Sequence, residues 1–204
     1  MAKKKIKFTK GELKGQRDSL GQFQRYLPTL QLKQQQLQME VRKTEAKLRK
    51  HREEIEEIKK EMVSWIGILA EPGIDLSGWV RPRNIITSTD NIAGVTIPVF
   101  KGVDFPDTEY DLFVMPLWVD SAIDQMRKVA ELLAENNVVK KQYELLNREL
   151  KTTMQRVNLF EKVKIPECKE NIKRIRIYIG DQETNAVGRS KIAKKKIEKV
   201  LQAA

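Results

Sequence analysis

Few residues in this 204-residue chain have both the type and the spacing for chemistry. The single histidine, His51, would need partners to act as a metal ligand or general base, and the single cysteine, Cys168, has no metal-ligand spacing to it. A seam histidine and a small packing thiol are the expectations. Asp104, Asp107, Glu109 and Asp111 could be imagined holding a divalent cation, but they lack the spacing and central glycine of a calcium loop, so a solvated acidic loop is expected. Glu53, Glu54, Glu56 and Glu57 sit beside Lys59 and Lys60 and give ordinary helical charge support rather than an acid–base pair. The glycines of GILAEPG and DLSGW are not followed by a phosphate-binding lysine. No catalytic, cofactor or metal site is expected.

The charge pattern offers more. The formal charge is +11. Residues 1–30 hold eight basic and two acidic side chains, residues 162–204 twelve and five, and residues 63–121 three and eight, so both ends are basic around an acidic centre. Lys3, Lys4, Lys5, Lys7 and Lys10, with Lys191, Lys194, Lys195, Lys196 and Lys199, could neutralise phosphates. The aromatic interleaving of single-strand binders and any docking module are missing, which favours a protein partner with an acidic cavity, or simple solubility, over nucleic acid. One cysteine fits a reducing compartment, and the lysine-rich start has no apolar run behind it. No segment reaches the roughly 18 apolar residues of a membrane span, so a cytoplasmic protein is expected.

Long helices must position these charges. One heptad row runs Leu13, Leu20, Leu27, Gln34, Val41, Leu48, Ile55, Met62; a second, three residues on, runs Gln16, Phe23, Leu30, Leu37, Thr44, His51, Ile58, Trp65. Twelve of these sixteen positions are apolar, which predicts a left-handed coiled coil. Thr9 and Glu12 have capping-box spacing. Pro28 either kinks this helix or marks where a longer one starts after a shorter one. A second seam runs Ala122, Gln125, Val129, Leu132, Asn136, Val139, Tyr143, Leu146, Leu150, Thr153, Val157, Phe160, then resumes after Pro166 in a shifted register as Cys168, Ile172, Ile175, Ile179. After Gly180 a basic helical tail is expected. The polar seam positions are read as register devices.

Between the helices, residues 67–117 hold five of the seven prolines and half of the ten glycines. VRPRNIITSTDNIAGVTIPVF predicts two strands around the turn-prone STDN, a hairpin with Pro98 at an edge. The expected fold is mainly α. N-terminal (1–66) and C-terminal (118–204) helices form an antiparallel coiled coil, their basic ends together at one pole, with the 67–117 insert as a small head at the other.

RVNLFEKVKIPECKENIKRI, Arg156–Ile175, resembles the signature of the D subunit of V-type and A-type rotary ATPases. The matching positions are Arg156, Val157, Asn158, Phe160, Glu161, Ile165, Pro166, Asn171, Ile172 and Lys173. RNIITSTDNIAGVTIPVF, with Asn91-Ile92-Ala93-Gly94-Val95 and Ile97-Pro98, and TKGELKGQRDSL, Thr9–Leu20, are similar to two further stretches of that family. Phe8 stands where the family usually has proline, and Pro28 is unusual inside the first helix. The resemblance implies a non-catalytic central rotor stalk coupling ATP turnover to ion translocation. Its partners would be the A and B subunits of the catalytic hexamer, the F subunit, and the membrane rotor through its socket subunit, without direct nucleotide or nucleic-acid binding. Lys3, Lys4, Lys5, Lys191, Lys194, Lys195 and Lys196 are then expected to face the hexamer, with the complex peripheral to the membrane on its cytoplasmic side. The alternative from composition alone is a basic coiled-coil scaffold or nucleic-acid-binding protein.

Overall fold

The computed structural model describes residues 6–63, 67, 76–107, 115–116 and 118–203, except for the side chains of 200, 202 and 203. The elements are α1 (Lys10–Val63), α2 (Ser77–Val80), β1 (Asn84–Ile92), β2 (Val95–Asp104), α3 (Trp118–Leu159), a π-helical turn (Phe160–Lys164) and α4 (Ile165–Ala203). The chain divides into one unit of residues 33–153 and another of residues 1–32 and 154–204.

Helix α1 starts where its cap allows. The Thr9 hydroxyl accepts the Glu12 amide at 3.2 Å, satisfying one of the first turn's open donors. The helix runs unbroken through Pro28, which excludes a separate start there. Pro28 and Gln24 are both exposed. The carbonyl that the proline leaves without its donor therefore faces water, where the loss costs least.

In the 33–153 unit, α1 and α3 run antiparallel. Lys33 pairs with Glu149 at 2.9 Å and Lys47 with Glu135 at 2.7 Å, fourteen residues on in one helix and fourteen back in the other. Between these rungs Leu37 and Val41 bury against Leu146 and Leu150, and Leu48, Ile55, Val139 and Ala122 are buried along the same seam, with Ile58 and Tyr143 half-buried. Trp65 lies outside the described residues. Thr44 satisfies its hydroxyl on the Glu40 carbonyl at 2.7 Å.

Two polar seam positions are left unsatisfied among the described residues, Asn136 at its Oδ1 and, more fully buried, His51. It is 7% exposed, and its ring nitrogens lie 3.3 Å from Glu54 and 3.5 Å from Glu135, yet neither contact has hydrogen-bond geometry. A buried polar ring without a bonded partner costs about 1–3 kcal/mol. Replacing it by leucine, His51→Leu, is therefore expected to leave stability unchanged or raise it by about 1 kcal/mol in urea titration. A loss above 1 kcal/mol would mean that the carboxylates hold the imidazole.

The strands form a two-stranded antiparallel hairpin with Ile92 opposite Val95. Its turn is Ala93-Gly94, not the expected STDN, whose residues lie within β1. The reason is geometric. A two-residue hairpin turn of type I′ needs positive φ at both central positions, here +52° at Ala93 and +79° at Gly94. Asn91 supports the turn by accepting the Gly94 amide at 2.9 Å, while Ser88–Asp90 tolerate strand geometry on an open sheet. A one-residue shift between Ile86 and Thr87 leaves Lys101 as the extra residue of a bulge in β2.

The hairpin also does not cap the helix ends as a separate head. Ile92, Ala93, Val95 and the buried Ile97 pack against Leu37, Val41, Leu146 and Leu150, so the turn lies alongside the helix pair. The Pro98 carbonyl points away from β1 and accepts from the Gln142 amide. A second core joins Leu76, Trp79 and Val80 to Val119, Ala122 and Ile123. Arg127 fastens both flanks of the hairpin: it donates to the Trp79 carbonyl at 3.1 Å and the Pro106 carbonyl at 2.7 Å, and lies 5.3 Å from the Phe105 ring centre. Nothing in its sequence context pointed to this arginine.

Candidate functional site

The most distinctive stretch of the sequence, Arg156–Ile175, lies in the unit formed by residues 1–32 and 154–204, where α1 faces α4. Heptad spacing would carry the seam from Thr153, Val157 and Phe160 to Lys164, Glu167, Asn171 and Arg174, but Glu167 and Arg174 are exposed and Cys168 and Ile175 bury in their place, with Asn171 buried and Ile172 half-buried between them. One residue too many has entered the helix. The π-helical turn at Phe160–Lys164 takes it up: the Ile165 amide bonds the Phe160 carbonyl, five residues back instead of four. Pro166 follows directly. It has no amide to give and would crowd the carbonyl four residues earlier in an α-turn, so the wider turn suits it. The change of register and the proline share one structural cause.

The signature therefore has two faces. Val157, Cys168, Asn171 and Ile175 are buried against α1, with Phe160, Ile165 and Ile172 half-buried. Phe160 packs on Phe23 with the rings tilted and their centres 5.0 Å apart, in a seam where Leu20 and Leu27 are half-buried. Arg156, Asn158, Glu161, Pro166 and Lys173 are exposed, as are Leu159 and Val163, so this outer face is left uncovered among the described residues.

Below the π-turn the helices enclose a polar groove of about 480 Å³, lined among others by Glu12, Gln16, Phe23, Lys164, Cys168 and Asn171. The Asn171 side-chain amide donates to the Gln16 side-chain oxygen Oε1 at 3.5 Å, and the Gln16 Nε2 in turn donates to the Glu12 carboxylate at 2.9 Å. Burial pushes the Cys168 thiol pKa up, the neighbouring Glu167 raises it further, and Lys164 opposes them. Because the thiolate is the reactive form, Cys168 in the folded chain is expected to react with iodoacetamide at pH 8 at least tenfold more slowly than in the urea-unfolded chain. Equal rates would contradict the burial. The raised pKa also signs a pH effect: its stabilisation is complete below the unfolded thiol value and is lost as pH rises through the folded one.

Further along α4 the partner helix ends. Phe8 packs on Tyr178 at 4.9 Å, and Lys10 pairs with Glu183 at 3.0 Å. Every described side chain from Gly180 to Leu201 is exposed, including Val187, Ile192, Ile197 and Leu201 at 56–72% and the lysines at 191, 194, 195 and 196. Lys194 makes a 3.8 Å pair with Glu198. Lys3, Lys4 and Lys5 lie outside the described residues, as do Glu109 and Asp111 of the acidic loop; Asp104 and Asp107 are exposed. Among the described residues no cluster of His, Cys, Asp or Glu is arranged to hold a metal ion, and no helix is long and apolar enough to cross a membrane.

Residues 12–195 match the family model for the D subunit of ATP synthase. The D subunit of the V-type ATP synthase of Borreliella burgdorferi is 46% identical over 195 residues, covering 96% of each chain. Those of Chlamydia muridarum and Chlamydia felis are 34% and 30% identical, covering 95% of this chain and 96% and 94% of theirs.

Proposed function

Because the chain belongs to the D-subunit family of ATP synthases, we propose that it is the central shaft of a V/A-type rotary ATPase. It would be non-catalytic itself, turning inside a hexamer of A and B subunits, held by the F subunit and seated through a socket subunit on the membrane rotor. It would lie at the cytoplasmic face of the membrane.

The observation that carries this reading is the unpartnered end of α4. Isolated helices of this length are marginal in water, and this one leaves Ile192, Ile197 and Leu201 uncovered beside Lys191, Lys194, Lys195 and Lys196. A protein collar with an apolar lining and acidic rim would satisfy both halves. The paired helices supply a body able to transmit torque, and the differing faces of α1, α3 and α4 supply asymmetry. Each catalytic interface would meet a different face as the shaft turned, and its conformational populations would shift only by its differential affinity for those faces.

A cysteine placed at Lys195, in a Cys168→Ser background, tests this. Oxidative cross-linking to a cysteine on the hexamer's inner wall is expected to stop ATP hydrolysis by the assembled complex, and reductant to restore it. Hydrolysis that continues at full rate through the cross-link would refute a turning shaft. Steeply salt-dependent DNA binding without affinity for A and B subunits would favour the nucleic-acid alternative.

A further inference from the structure

The hairpin is an unfinished sheet. It has two strands only, and β1 keeps one long side without a strand partner among the described residues. Such a row of backbone donors and acceptors is a template for another strand, which proteins usually blunt with lysine, proline or a bulge on that strand. β1, NIITSTDNI, has no lysine or proline, and the bulge lies on β2.

The register says which groups are open. With a two-residue turn, Ile92/Val95, Asp90/Ile97 and Ser88/Val99 are the hydrogen-bonded pairs, so Thr87, Thr89 and Asn91 aim their amides and carbonyls away from β2. At the turn end the edge is closed, since the Asp90 carboxylate takes the Asn91 amide at 2.7 Å. Toward the other end it is open. Ile85 and Ile86, on opposite faces, are 42% and 51% exposed, so this half of the hairpin has apolar side chains uncovered on both sides.

We propose that β1 between Asn84 and Thr89 accepts an extended segment of a different polypeptide as a third strand. The exposed Arg83 and Asp90 bracket the opening and give it a polarity. The fitting segment is about five residues long, with consecutive β-branched or apolar side chains, a carboxylate opposite Arg83 and a cation opposite Asp90. A second copy of this chain fits less well. Symmetric antiparallel self-pairing joins the odd-numbered outward residues of β1 to one another and sets Asp90 opposite an even-numbered residue of β1, none of which is a cation. The edge does not depend on rotation, and a static component of the complex could use it equally.

Hydrogen exchange on the unmodified chain, alone and within its purified ATPase complex, tests the edge. The Thr87 and Thr89 amides are expected to exchange at least 100-fold more slowly in the complex, while Ser88 and Asp90, already bonded to β2, change little. Equal rates for Thr87 and Thr89 in both states would overturn the proposal. A photo-cross-linker at Ile85 should attach to a short stretch of another polypeptide; attachment only to a second copy of this chain would also overturn it. Thr89→Pro removes one outward amide opposite Pro98 without touching the β1–β2 ladder, and is expected to abolish the protection at Thr87 while Ser88 and Asp90 stay protected.

Discussion

Removing Lys191–Ala204 is expected to leave the isolated chain as stable as before, within about 0.5 kcal/mol, yet to weaken its binding to a hexamer of A and B subunits about a thousandfold. The two halves of this expectation share one cause. The described side chains of this segment are exposed, so folding gains little from them. In a collar, Ile192, Ile197 and Leu201 would each contribute about 1.5–3 kcal/mol on burial, less the cost of fixing the helix. Five exposed lysines would add salt-sensitive attraction to an acidic rim. Affinity for the F subunit should fall far less, because the shaft reading puts that contact elsewhere on the chain. Titrations of the truncated chain against each partner measure both losses. Equal losses would contradict the assigned polarity, and a large drop in melting temperature would show that the tail packs on the chain itself.

Deleting one residue has opposite expected outcomes on the two sides of Pro166. Without Lys162 the extra residue of the π-turn is gone, Phe160 can join an ordinary α-turn, and Cys168, Asn171 and Ile175 keep their orientation toward α1. The remaining cost is Pro166 in a tighter turn, about 3 kcal/mol, which Pro166→Ala should largely remove. Without Lys169, in regular α-helix, every later residue turns by roughly 100°, and Asn171, Ile172, Ile175 and Ile179 leave the seam. At about 1.5–3 kcal/mol per isoleucine, that costs on the order of 5 kcal/mol or more. Urea denaturation of the two deletion variants separates the cases. If both unfold alike, the π-turn is not what sets the register.

How much of this was legible in the sequence depended on its period. A seven-residue repeat fixes which side chains face a partner helix, and every described position of the two rows on α1, from Leu13 to Met62, is buried or half-buried. The insert has no such repeat. Its turn was misplaced because turn propensity favours Ser, Asp and Asn, whereas the hairpin was decided by Gly94 and by the tolerance of Ala93 for positive φ. Its docking alongside the helices depends on contacts between Ile97 and Leu146, residues far apart in the chain, and no local pattern encodes that. The offset at Pro166 was visible as spacing, but the π-turn that absorbs it is a backbone solution that spacing alone does not name. Arg127 and the polar groove beside Cys168 were not legible, because one arginine and a few polar side chains look ordinary until the fold brings their partners together.

The shaft reading is tested most directly by watching this chain move. With the hexamer fixed to a surface through its A subunits and a bead attached to the exposed outer face at Glu161→Cys, in a Cys168→Ser background, added ATP is expected to drive the bead in one direction through three dwells per turn. A bead that stays fixed relative to the hexamer while ATP is hydrolysed at the normal rate would contradict it.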